Sequence, residues 1–393
     1  MILRIAVLSS RFPFPLERGD KLRLYYQLKG LSTRHEIHLY TLADGDVREA
    51  DIEQLRKVCY NITVVKTSFW QKAVGFISAL IYSWPFQTGL SYSRSLHRKF
   101  VEDLNKKGID AIFCQLIRMA PYAINAPQHK VLDFMDAFGV GMQRRAKISR
   151  WPLNWIYAWE AKRVEEFEKS CAPCFDERVV ITEEDKQALD LPTMNCEIVP
   201  NGIDTVYFHP GKTTAAHFDV GFVGNLGYLP NIRAARYLIQ DIGLAWFSKN
   251  GSSLKILVAG ARPDSSLTEL VNDFVVVRGW MEDIREAYAS IQILVAPIFF
   301  GTGQQNKIME AMASGIPVIC SPEVAKGVGA IHMEHLLVAN NAIEFVEAIA
   351  LLKNDEALRI KISQQALEYV KNQFSWEKSV HLLDKLLDVK YLA

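Results

Sequence analysis

The sequence predicts an α/β chain of two doubly wound, Rossmann-like domains, and three observations carry that prediction. The chain has 393 residues, more than one hydrophobic core usually holds. It opens with an apolar run from Arg4 to Ser9, a loop through Gly19, a helical pattern from about Lys21 to Leu31 and a second run from His35 to Thr41, which together make a βαβ unit. The same strand, glycine loop and helix recur after residues 211–216, the best linker candidate: a strand from Asp219 to Val223, a loop from Gly224 to Asn231, then a helix with Ala234, Ala235 and Leu238. The expected domains are 1–210 and 211–373, with 374–393 as a final helix.

Between those landmarks the chain reads in order. Lys66 to Phe100 is crowded with Phe69, Trp70, Phe76, Ile77, Leu80, Ile81 and Trp84, followed by Arg94, Arg98 and Lys99. Its unbroken apolar run is too short to span a bilayer, so it either lies flat on an anionic membrane or packs against its own sheet. Asp110 to Gln115 and Lys130 to Met135 read as strands, and the second delivers Asp133 and Asp136 to a strand end, where chemistry is usually placed. Asp136 is a candidate catalytic or acceptor-binding group, with a loop-capping carboxylate as the alternative. The basic run Arg144 to Arg150 precedes Trp151, Trp155 and Trp159 and suits a membrane interface or a lipid-phosphate acceptor, or else a solvated helix over buried tryptophans. Arg178 to Thr182 is a further strand. Leu254 to Gly260 and Val275 to Asp283 follow in the second half, and Phe374 to Glu377 begins an amphipathic helix with Val380, Leu383, Leu386 and Leu387.

Composition excludes several classes. The formal net charge of +1 leaves no overall electrostatic footprint for nucleic acid. Of six cysteines, only Cys171 and Cys174 have metal or redox spacing, and no second pair completes a zinc site, so reduced thiols in a cytoplasmic protein are expected. The first residues are too short an apolar stretch for a secretion signal.

One stretch organises the second half: PIFFGTGQQNKIMEAMASGIPVICS, Pro297 to Ser321. It reads as the end of a strand, a glycine turn at Gly301-Thr302-Gly303, a helix from about Gln304, and a strand after Gly315 and Pro317. Glycines let a strand turn at once into a helix, whose free N–H groups and positive dipole end suit a phosphate. Lys307 and Glu310 share one helix face, with Glu310 about two turns in, within reach of a ribose. The alternative is an ordinary turn followed by a solvated Glu–Lys pair.

The run from Gly303 to Pro317, with Glu310-Ala311-Met312-Ala313 and Gly315-Ile316-Pro317, resembles the donor-site signature of family 4-like glycosyltransferases of the GT-B fold. The wider run GTGQQNKIMEAMASGIPVICSPEVAKG is similar to sugar transferases of bacterial exopolysaccharide clusters. That resemblance implies two Rossmann-like domains facing a cleft, a C-terminal helix crossing back to the first, and transfer of a sugar from a UDP- or GDP-sugar to a glycan or lipid-linked acceptor with retained configuration. It implies that Glu310 binds the nucleotide ribose and that Gly279, Trp280 and Met281 recognise the base. Gly19 and Asp20 would face the donor phosphates or the acceptor, although Asp20 reads equally as a helix N-cap. Many relatives carry two glutamates eight residues apart, and this chain has Thr302 at the first position. Where relatives place Arg and Lys on the diphosphate, this chain has Asn225 and Asn231 after Gly224, which leaves the phosphate charge to Lys307, Arg262 and the helix end carrying Gly301, Gly303, Gln304 and Asn306. No cofactor or metal is expected, the phosphate charge being left to those groups. Transfer chemistry needs only a stabilised leaving diphosphate and exclusion of water. A nucleotide-sugar epimerase and a non-catalytic nucleotide-sugar-binding subunit remain as alternatives. The expected location is cytoplasmic, peripheral to the inner face of the membrane.

Overall fold

A computed structural model describes residues 2–16, 18–191, 194–211, 216–299 and 303–388. The chain forms two compact units, Met1–Gly202 with Trp376–Ala393, and Ile203–Ser375. The division thus falls after Gly202 and Ser375, beside the expected 210 and 373.

The first unit is built on a seven-stranded sheet in the order β3-β2-β1-β4-β5-β6-β7. Its strands are β1 (Arg4–Ser9), β2 (Glu36–Ala43), β3 (Asn61–Lys66), β4 (Ala111–Gln115), β5 (His129–Met135), β6 (Glu177–Val180) and β7 (Glu197–Ile198), and every pairing is parallel. A parallel sheet is covered on both faces, which is why these strands read as nearly continuous apolar runs. In β1, Ala6 and Leu8 enter one core while Ile5 and Val7 enter the other. The second core also takes Leu383 and Leu387 of the last helix, Trp376–Leu387, and Trp376 stacks on Tyr26 at 4.7 Å between ring centroids.

At the centre of this unit Arg23 and Asp133 form a fully buried ion pair of 2.7 Å, and Arg23 also donates to Asn201 Oδ1 at 3.0 Å. Asp133 is therefore not available for chemistry at the strand end. It neutralises a guanidinium carried into the core by the first helix, Gly19–Leu31.

The second unit carries a six-stranded sheet in the order β10-β9-β8-β11-β12-β13, again parallel throughout. Its strands are β8 (Phe218–Val223), β9 (Ile256–Ala259), β10 (Val275–Arg278), β11 (Ile291–Ala296), β12 (Val318–Cys320) and β13 (Leu337–Val338). Both sheets reverse their direction of winding between the first and fourth strands. That leaves a crevice at the carboxyl ends of β1 and β4 in one unit and of β8 and β11 in the other, where open α/β sheets bind ligands.

Candidate functional site

The carboxyl ends of β8 and β11 bring together residues from four segments of the second unit. The chain leaves β8 at Gly224, whose carbonyl would lie 1.7 Å from any Cβ at position 260, and Gly260 itself holds φ +147°. Only glycine meets both demands at 260, so the loops after β8 and β9 can touch. Arg262, exposed and also at positive φ (+58°), sits beside Gly227.

After β11 the chain turns at Gly303, with φ +93°, into the helix Asn306–Ala313. That helix starts at Asn306, two residues later than the sequence suggests, because Gln305 still has extended backbone at the N-cap. Glu310 is accordingly its fifth residue, little more than one turn in rather than two. Gly301 and Thr302 lie outside the described residues.

Lys307 and Glu310 are not a solvated pair. Lys307 Nζ donates to Asn231 Oδ1 at 2.6 Å and lies 4.9 Å from the centre of the Phe222 ring. Asn231 is in the first turn of the helix Leu229–Tyr237, not in the loop before it. Its Nδ2 donates to the Asn225 carbonyl at 2.9 Å, while Asn225 Oδ1 accepts from Gly227 N–H at 3.0 Å. The two asparagines thus build the loop and aim the lysine. Burial pushes the Lys307 ammonium down to about 7, with Glu310 opposing. Glu310 is raised from the ordinary glutamate value by burial, against the Tyr288 hydrogen bond and the Lys307 charge. Tyr288 donates to Glu310 Oε2 at 2.7 Å and fixes that carboxylate. Asn306 Oδ1 is buried with no hydrogen-bond partner among the described residues, and Gln304 is half-buried beside Met309.

The segment after β10 places Gly279 against Pro263, Trp280 exposed at 66 % and Met281 partly packed on the core. Gly224, Asn225, Asn231, Arg262, Gly303 and the Asn306–Glu310 turn therefore share one sheet edge, with Gly279 to Met281 at the same edge two strands away.

Gly19, Asp20 and Asp136 belong to the first unit. Gly19 opens its helix in empty space, and Arg18, not Asp20, is the N-cap. Asp20 instead pairs with Arg11, because its position inside the first turn faces back to the loop after β1. Asp136 follows β5 with an exposed side chain that makes no hydrogen bond among the described residues. The capping offered as its alternative role comes from Asp185, which accepts from Ala137 N–H at 3.2 Å, and from Glu168, which accepts from Phe138 and Gly139 N–H at 3.0 and 3.3 Å. The Asp136 carboxyl is raised from the ordinary aspartate value by nearby protein and then by the Asp185 charge, with Arg23 pulling the other way.

Sequence reasoning missed Tyr288, Arg11, Glu168 and Asp185. Tyr288 is 22 residues from Glu310 and carried no local signal.

Residues 217–355 match the family described as Glycosyl transferases group 1. A Klebsiella pneumoniae protein described as an uncharacterized 44.6 kDa protein in a cps region is 22% identical over 405 residues, covering 95% of this chain and 97% of its own. Among solved structures, sucrose-phosphate synthase from Thermosynechococcus elongatus superposes with a TM-score of 0.70 at 15% identity over 98% of both chains. HepE of Anabaena, solved in complex with UDP and glucose, gives 0.68 at 14% over 98% of this chain and 99% of its own. WaaG, described as a glycosyltransferase involved in lipopolysaccharide biosynthesis, gives 0.63 at 12% over 98% and 100%. The fold is GT-B.

Proposed function

We propose that this chain, a GT-B protein whose second unit carries a group 1 glycosyl transferase domain, transfers a sugar from a nucleoside-diphosphate sugar to a glycan or lipid-linked acceptor in cell-surface polysaccharide synthesis. The observation that carries this reading is Lys307, held by Asn231 at the switch point of the sheet, one helical turn before Glu310. A half-buried ammonium beside helix N–H groups is suited to a diphosphate, and a carboxylate fixed by Tyr288 is suited to the two hydroxyls of a ribose.

As the glycosidic bond to the diphosphate breaks, negative charge builds on the leaving oxygen. Lys307 and the amides around Gly303 meet that charge without reorganising. The transfer is metal-independent in this reading, the cation being Lys307, with Arg262 as a second. Asp136 is the acceptor-side candidate, its exposed carboxylate after β5 able to take a proton from an acceptor hydroxyl. We assign retention of configuration. The donor is a UDP-sugar, a choice supported by the UDP seen in HepE, and the compartment is cytoplasmic, as unpaired cysteines suit.

The test is a thermal-shift panel of UDP-, GDP- and ADP-sugars. A UDP-sugar should raise Tm in the native protein and not in Lys307→Ala, since a ligand that binds only the folded state stabilises it by mass action. No shift with any nucleotide sugar would reject the reading. Turnover of a labelled UDP-sugar with excess EDTA, followed by NMR of the product anomer, tests metal independence and retention.

A further inference from the structure

Two helices of the first unit present their surfaces inside out. In Phe69–Ile81 the buried residues are Gly75, Ser78 and Ala79, while Trp70 is 77 % and Ile81 71 % exposed, with Phe69, Ile77 and Leu80 also turned outward. The small side is small for a reason: a Cβ on Gly75 would lie 2.2 Å from the Gly89 carbonyl, so the neighbouring helix Phe86–Leu90 packs backbone against backbone. In Leu153–Cys171 the inversion goes further. Glu160 and Glu168 are buried, whereas Trp155 is 67 % exposed and Trp151, just before the helix, 82 %. Glu160 accepts from Phe86 N–H at 2.6 Å, which accounts for its inward turn without accounting for the tryptophans outside.

The two helices form one continuous face. Phe76 stacks on Phe86 at 4.6 Å, Phe86 lies 5.4 Å from Trp159, and Trp159 stacks over Trp155 at 6.5 Å. Arg163 Nη2 donates to the Ala79 carbonyl at 2.7 Å and locks the helices together. The segments that supply this face, residues 67–93 and 138–159, contain Lys72, Arg144, Arg145, Lys147 and Arg150 and not one Asp or Glu. Arg144, Arg145, Lys147 and Arg150 are exposed, and the Arg145 guanidinium lies 4.6 Å from the centre of the Tyr157 ring.

We propose that this face docks on the surface of an anionic phospholipid bilayer, the side chains of Trp70, Ile77, Ile81, Trp151 and Trp155 entering the headgroup boundary and Arg144 to Arg150 meeting the lipid phosphates. The charge pattern selects that occupant. Lys72 is paired with Asp44 at 2.8 Å, and the exposed cluster of Arg144, Arg145, Lys147 and Arg150 repels its own copy in an isologous contact, where each patch meets itself. A bilayer supplies the opposite charge together with an apolar layer that imposes no fixed shape, and tryptophan favours that boundary. No helix among the described residues is long and apolar enough to cross a membrane, so the contact is peripheral. It stands apart from the sugar-transfer reading, since none of these residues belongs to the Lys307 site.

The test is flotation of the full chain with vesicles of phosphatidylglycerol and phosphatidylcholine, against pure phosphatidylcholine. Binding should be at least about tenfold stronger to the anionic vesicles at low salt, and tryptophan emission should shift to the blue. Trp70→Glu with Ile77→Glu, and separately Arg144→Glu with Arg145→Glu, should each reduce vesicle binding at least about tenfold while leaving Tm and the UDP-sugar thermal shift unchanged. Protein left unbound at low salt, binding indifferent to both variants, or a concentration-dependent dimer abolished by Trp70→Glu with Ile77→Glu would each overturn the proposal. A lost UDP-sugar shift in the native chain, with vesicle binding intact, would instead reject only the transferase reading.

Discussion

Lys307 and Glu310 have opposite charges and one burial, and each needs a third residue to be usable. Asn231 aims the lysine and Tyr288 the glutamate. With its ammonium pushed down to about 7, Lys307 loses its proton as pH rises through neutrality, and a diphosphate must restore that proton on binding. The sign follows: UDP-sugar affinity should fall above about pH 7, approaching tenfold per pH unit, and calorimetry should show proton uptake that depends on the buffer. Lys307→Met should abolish both the uptake and the slope. Tyr288→Phe removes one hydrogen bond to a half-buried carboxylate, a loss of about 1–3 kcal/mol. It should therefore raise the donor KM about five- to one-hundredfold, with a smaller change in kcat. In the first unit, Asp133→Ala strands a fully buried Arg23 and should cost about 3–5 kcal/mol of stability, measured by urea unfolding.

The element scale shows which parts of the chain could be read in advance. Buried parallel strands announce themselves as short apolar runs, and the helix at Asn306 is legible because Gly303 and Gly315 bracket it within one local segment. The corner that holds Lys307 is assembled from β8, β9 and β11, and no periodicity reports that Asn231 and Tyr288 arrive there. The aromatic helix Phe69–Ile81 was open to two readings for a similar reason. Its large residues surround most of a turn, and only the close approach at Gly89 reveals that the small ones face inward. Gly260→Ala tests the same kind of contact in the second unit. Its Cβ would overlap the Gly224 carbonyl, so the loop that carries Asn225 must move. Overpacking of this kind costs about 1–3 kcal/mol, and the UDP-sugar thermal shift should be lost with it.

For the whole molecule, two parallel sheets with the same winding order follow from a repeat visible in the sequence: strand, glycine loop, helix, twice. The final amphipathic helix is equally legible from Val380, Leu383, Leu386 and Leu387. What the pattern does not report is its place. Leu383 and Leu387 complete a core begun by Ile5 and Val7, and His35 meets Asp384 at 2.6 Å across most of the chain length. Truncation after Ser375 should consequently lower the stability of the first unit, seen as early loss of hydrogen-exchange protection in β1 and β2 while β8 and β11 stay protected.

That returning helix also sets a timetable. The strands of the first unit are made before residues 376–387, so its core cannot close until that helix follows, whereas the unit made between them has all its strands in hand beforehand. The half-built sheet at the amino end must wait, with the surface destined for Leu383 and Leu387 uncovered until then.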